Sequence, residues 1–160
     1  MSDPGAVVAR FISEQPASLT REALEREAPG YLPGLAAWGE GWRVLCAELG
    51  MPCPPALVLL GDAMADRHLY LSFAGHAYSM LTPDEARETR TFLLGLARRY
   101  PEFARHAAML PVFGQDGDLL VLAPEGAVYA FVHDDDQDHA PVAASLEDVL
   151  ERSRPGVVNL

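Results

Sequence analysis

The sequence predicts an α+β fold, an antiparallel sheet with a C-terminal meander flanked by helices, as one domain over residues 1–160. Three observations carry that reading. Residues 110–113, 118–123 and 127–133 are β-type runs, separated only by Gly114-Gln115-Asp116-Gly117 and Pro124-Glu125-Gly126. Loops this short, each carrying glycine, join antiparallel neighbours. Apolar residues at three- and four-residue steps mark helices on either side of these runs. Thr82-Pro83-Asp84-Glu85 is a full capping box with proline at the first helical position.

From the N-terminus, Asp3-Pro4 caps a helix over residues 4–14 whose apolar positions are Val7, Val8, Phe11 and Ile12. Gln15-Pro16 stops it. Thr20-Arg21-Glu22 opens a short charged helix that ends at Pro29-Gly30, and Tyr31-Leu32-Pro33-Gly34 reads as a turn. Residues 35–49 carry Leu35, Trp38, Trp42, Leu45 and Leu49 as a helical stripe closed by Gly50. Pro52-Cys53-Pro54-Pro55 is a rigid linker, 56–60 a short apolar run, and 61–67 a turn-rich loop. Residues 68–73 alternate, with Leu69, Leu71 and Phe73 on one face, and 77–81 form a further strand. The helix opened by the capping box runs to about Arg99 and is expected to bury Ala86, Phe92, Leu93, Leu96 and Ala97. A short helix at 101–108 precedes the meander. After an exposed acidic loop at 134–140, Ser145-Leu146-Glu147-Asp148 opens a closing helix with Val149 and Leu150 inward.

The chain is 49% hydrophobic, and a chain of this length buries roughly two-thirds of its unfolded surface. A core without metals or disulfides is therefore expected. Cys46 and Cys53 lie seven apart, which is neither a CxxC pair nor a zinc knuckle, so they read as idle thiols. No stretch approaches the ~20 apolar residues of a membrane span. The N-terminus lacks the basic region and apolar stretch of a signal peptide, which makes cytoplasmic residence the expectation.

Charge is unevenly spread. The net is −11, and the twelve basic residues are all arginine. Residues 1–106 carry 13 acids against 10 arginines, and residues 107–160 carry 10 acids against Arg152 and Arg154. Such a surface repels nucleic acid and anionic membrane and attracts a basic partner.

Candidate chemistry is sparse. Asp134, Asp136 and Asp138 match positions one, three and five of a calcium loop, but the sixth position is His139 instead of glycine and the twelfth is Ser145 instead of glutamate. No metal is expected there. There is no GxSxG nucleophile elbow and no glycine-rich phosphate cradle. Cys46 or Cys53 with His68, His76 or His106 has no family signature behind it, and His76 reads as a strand end. Trp38 and Trp42 read as core. No catalytic residue and no cofactor is expected.

Leu110-Pro111-Val112-Phe113, Gly117-Asp118-Leu119-Leu120-Val121-Leu122 and Gly126-Ala127-Val128-Tyr129 together resemble the SUKH superfamily of bacterial toxin-immunity proteins and fungal cell-wall regulators. In that family an LP(I/V) strand, a GD(L) strand and a G-x-V-(Y) strand succeed one another and lead to an acidic loop and a closing helix. The helix opened by Thr82-Pro83-Asp84-Glu85 is also similar. The likeness covers residues 76–151. Leu32-Pro33 and the helix after it match the family's N-terminal half, but the Asn-Gly pair that closes that helix in the family is missing here. The resemblance implies an α+β fold without catalytic residues that binds and neutralises a cognate toxin. The expected partner is a basic toxin or effector, such as a nuclease. The expected contacts are Asp134, Asp135, Asp136 and Asp138, helped by Asp116, Asp118 and Glu125. The rival expectations are a chaperone or adaptor for a secreted effector, marked by an exposed apolar groove, and an enzyme, marked by a closed pocket of titratable groups.

Overall fold

The computed structural model describes residues 3–27, 29–30, 32, 34–132 and 140–155. The acidic run from His133 to His139 and part of the predicted turn at 31–34 lie outside them. Its strands are β1 (Tyr70–Phe73), β2 (His76–Met80), β3 (Leu110–Gln115), β4 (Asp118–Leu122), β5 (Val128–Phe131) and the two-residue β6 (Arg154–Pro155). They form one sheet in the order β5-β4-β3-β2-β1-β6 with every neighbouring pair antiparallel. The predicted meander is present as β3-β4-β5. Two hairpin turns of the sheet follow one rule. Ala74-Gly75 joins β1 to β2 and Asp116-Gly117 joins β3 to β4, and all four residues have positive φ, between 50° and 90°. A two-residue loop with both φ positive matches the twist of the strands it joins.

Helices cover the sheet as α1 (Pro4–Ser13), α2 (Arg21–Glu27), α3 (Gly39–Glu48), α4 (Pro55–Ala63), α5 (Pro83–Arg99), α6 (Ala104–Ala107) and α7 (Leu146–Arg152). Alternation along β4 divides the core. Leu120 and Leu122 point into a large cluster with Phe11, Trp42, Leu57 and Val149, supplied by α1, α3, α4 and α7. Leu119 and Val121 point to the other face, into a smaller cluster with Leu93 of α5 and Ala107 of α6. Both faces of β4 are therefore buried, which is why its sequence is an unbroken apolar run. At Pro111–Phe113 a bulge shifts the register and places Val112 and Phe113 in the same cluster. Pro111, which has no N–H to give the ladder, sits at that irregularity, where proline is tolerated within a sheet. One sheet with a cluster on each face makes a single α+β domain.

The caps read from sequence are formed. Thr82 Oγ1 accepts from Glu85 N at 3.1 Å and Glu85 Oε1 accepts from Thr82 N at 3.0 Å. Asp3 caps α1 and Ser145 caps α7. Gln15, read only as part of a stop, has a further task. Its side-chain amide donates to Tyr70 O at 2.8 Å and accepts from Tyr70 N at 2.9 Å, taking the place of a strand partner at the edge of β1.

Three expectations need correction. The helix expected over 35–49 begins only at Gly39, because the Trp38 N–H is drawn to Gly61 O at 2.9 Å and the Gly39 N–H is capped by Asp62 Oδ1 at 3.1 Å. Residues 56–63, read as an apolar run entering a loop, are helical as α4. Pro54-Pro55 starts this helix, and Ala56, Leu57, Val58, Leu60 and Gly61 are all buried, so it shows no clear polar face. Phe92, expected in the core, is 61% exposed.

Candidate functional site: an acid-lipped groove beside helix α5

The exposure of Phe92 follows from helical geometry. Ala86 and Leu93 define the buried line of α5, with Leu96 and Ala97 partly buried beyond them. Glu85, Glu88, Thr89 and Phe92 stand at i, i+3, i+4 and i+7, a separate stripe one step around the helix. That stripe walls a groove of about 510 Å³. The opposite wall is Gly114 to Gly117, the end of β3 and its turn, and Leu81, Leu119 and Phe131 supply apolar surface between them. Every charged residue lining the groove is acidic: Glu85, Glu88 and Asp116. Phe92 is the most exposed large apolar side chain among the described residues.

The residues expected from sequence to bind a partner divide across the fold. Asp116 forms one lip of the groove. Asp118 follows it at the start of β4, with its carboxylate 3.5 Å from His76 Nδ1, an ion pair when the imidazole is protonated. Tyr78, buried nearby, has its phenol pushed up to about 12 by burial and by the Asp118 charge. Glu125 is exposed in the turn between β4 and β5, at the far end of β4 and about 17 Å of strand away. The structure therefore does not bring Glu125 to the groove. Asp134, Asp135, Asp136 and Asp138 fall outside the described residues. Phe131, the last residue of β5, pairs with Leu119, next to Asp118.

A second cavity, of about 390 Å³, opens beside Trp38 and includes His68, Tyr70, Asp84 and Glu85. Trp38, expected in the core stripe, is half-buried here, and its indole N–H donates to Gly34 O at 2.8 Å. Trp42 is fully buried, as expected. The carboxylates of this cavity already hold the structure together: Glu85 closes the capping box, and Asp84 meets Arg87 at 3.0 Å. The His68 imidazole is pushed toward its neutral form by burial, partly opposed by Glu85.

The chain matches no family model, no curated protein and no solved structure. Among the described residues no three histidine, cysteine or acidic side chains are grouped to hold a metal ion. Nor is any helix among them long and apolar enough to cross a membrane.

The thiols are poorly suited to nucleophilic chemistry. Cys46 and Cys53 are near neighbours in space, and burial with that proximity pushes Cys46 up to about 12. Cys53 is also raised by burial, less so because Cys46 and Arg43 favour its thiolate. Only the thiolate attacks, and burial holds Cys46 in its thiol form well above pH 8. Cys46 in the native protein is therefore expected to resist iodoacetamide at pH 8 while the unfolded chain labels rapidly. Labelling of native Cys46 at the unfolded rate would contradict the burial account.

Proposed function

We propose that this protein is of the toxin-immunity type and neutralises a basic partner by seating it in the groove between α5 and the β3–β4 turn. The observation that carries the reading is Phe92, held open to solvent in a groove whose charged lining is wholly acidic. Interfaces gain most of their energy from a few desolvated aromatic anchors and gain association rate from complementary charge. Phe92 is suited to the first role. Glu88 and Asp116, with the acidic bias of residues 107–160, are suited to the second. A nuclease fits such a surface because the face that holds phosphates must be basic. The motifs that resemble the SUKH superfamily lie on β3, β4 and β5, and the turn between the first two forms a groove wall. On this reading the protein performs no catalysis and needs no cofactor.

Exposed Phe92 also suits a chaperone or adaptor that covers an apolar segment of an effector. The two readings separate on activity. An immunity protein abolishes the partner's toxicity at equimolar ratio, whereas a chaperone keeps it soluble without inhibiting it.

The test is stopped-flow association with the protein encoded by the neighbouring gene. Changing Asp134, Asp135, Asp136 and Asp138 together to asparagine is expected to slow association about tenfold at low salt. The difference should shrink as salt rises, and the fold should remain intact. An unchanged association rate would remove that segment from the docking surface.

A further inference from the structure

The cavity beside Trp38 and the groove beside Phe92 are neighbours. Ser79 and Glu85 line both, so these two residues stand between Trp38 and Tyr70 on one side and Phe92 and Phe131 on the other. The two differ in chemistry. The Phe92 groove has an apolar floor between acidic lips. The Trp38 cavity combines two aromatic rings with Asp84 and Glu85 and includes no arginine. Its one imidazole, His68, is pushed toward the neutral form by burial and so adds no fixed positive charge.

Aromatic rings beside carboxylates are a setting in which an organic cation binds, through the ring quadrupole and through charge-assisted hydrogen bonds. A metal ion is a poorer fit, because no three ligating side chains are grouped among the described residues. Arg87 already neutralises part of Asp84 from outside the cavity. Glu85 has one oxygen on the Thr82 N–H, so its other oxygen is the better placed of the two groups to receive a cation.

We infer that the cavity beside Trp38 receives an arginine or lysine side chain of the partner, carried on an extended segment whose neighbouring apolar residue packs against Phe92. This rests on the docking role proposed for the groove and names what the groove selects: a basic side chain a short distance from an apolar one. The adjacency of the two through Ser79 and Glu85 suits an extended segment, since side chains two residues apart on a strand share a face.

The cavity can be probed without the partner. N-butylguanidinium and n-butylammonium are titrated against the 15N-labelled protein, with the neutral N-butylurea as the control of equal shape. The expected result is saturable shifts of the Trp38 indole and of the His68 and Glu85 amides with both cations and not with the urea. Glu85→Gln, which keeps an amide able to close the capping box, is expected to weaken cation binding at least fivefold without loss of helix. Equal binding of the urea, or no saturable shift with either cation, overturns the inference. A second arm measures the neighbouring-gene product against Glu85→Gln combined with Asp84→Asn. A tenfold or greater loss of affinity supports a partner side chain as the cation. Unchanged affinity, with the small cations still bound by the wild type, would assign the cavity to a free small cation and overturn the partner claim. If Phe92 substitution leaves partner binding intact while the cations still bind, the groove reading fails and the chemistry of the cavity stands.

Discussion

Replacing Phe92 with aspartate is expected to weaken partner binding about a hundredfold while leaving the fold nearly as stable as before. The argument rests on where the ring sits. At 61% exposure it contributes little to the core, and a substitution at such a surface position on a helix costs within about 1 kcal/mol. In a complex the same ring would be buried at the centre of an apolar patch, where removing an aromatic anchor costs 2 kcal/mol or more. The new carboxylate would also be desolvated beside Glu88 and Asp116, which adds repulsion. The measurement is partner affinity by calorimetry together with thermal denaturation of the free variant. Loss of binding with an unchanged melting temperature supports the groove. Unchanged affinity would show that Phe92 is not an anchor.

The second large effect concerns the fold itself. Gly61→Ala is expected to destabilise the protein by about 2 kcal/mol, whereas Gly95→Ala should stabilise it by about 0.5–1 kcal/mol. Both glycines are helical, so intrinsic propensity alone would favour alanine at each. Their surroundings decide the sign. A Cβ on Gly61 would lie 2.7 Å from Trp42 Cδ1 and 2.9 Å from the Gly39 N atom, where α4 crosses the start of α3. Trp42 is fully buried and the Gly39 N–H is held by Asp62, so neither contact has room to yield. A Cβ on Gly95 meets nothing within 4 Å. For a chain of this size the two variants should differ in melting temperature by roughly 5–12 °C. A Gly61→Ala protein as stable as the wild type would mean that the α3–α4 crossing is looser than these distances indicate.

What could be read from the sequence and what could not separates by range. Thr82 to Glu85 and Ser145 to Asp148 announced their helices because a capping residue and its partner lie three apart. The meander is legible because the segments between its runs, 114–117 and 124–126, are short and carry glycine. The start of α3 was not legible, because it is set by the Asp62 carboxylate, 23 residues further on. Helix α4 was missed since a segment buried on most sides has no apolar period to read. Phe92 reads as core from the sequence because an aromatic beside a leucine fits either line of the helix, and only the packed structure shows that Leu93 has the inner one. The groove was beyond reach for the same reason, since it joins a stripe of α5 to a turn some 25 residues later. Asp116 lines the groove, and in the sequence only its charge and its place in a short turn mark it. Glu125 was grouped with it on charge alone, and the length of β4 separates them.

The most direct test of the docking surface is an amide chemical-shift map of the 15N-labelled protein titrated with the neighbouring-gene product. The proposed function predicts that the largest perturbations fall on Glu85, Glu88, Phe92, Asp116 and Leu119, and that raising the salt concentration weakens the titration. Perturbations confined to α1, α2 or α7, with the α5 stripe and the β3–β4 turn unmoved, would contradict it.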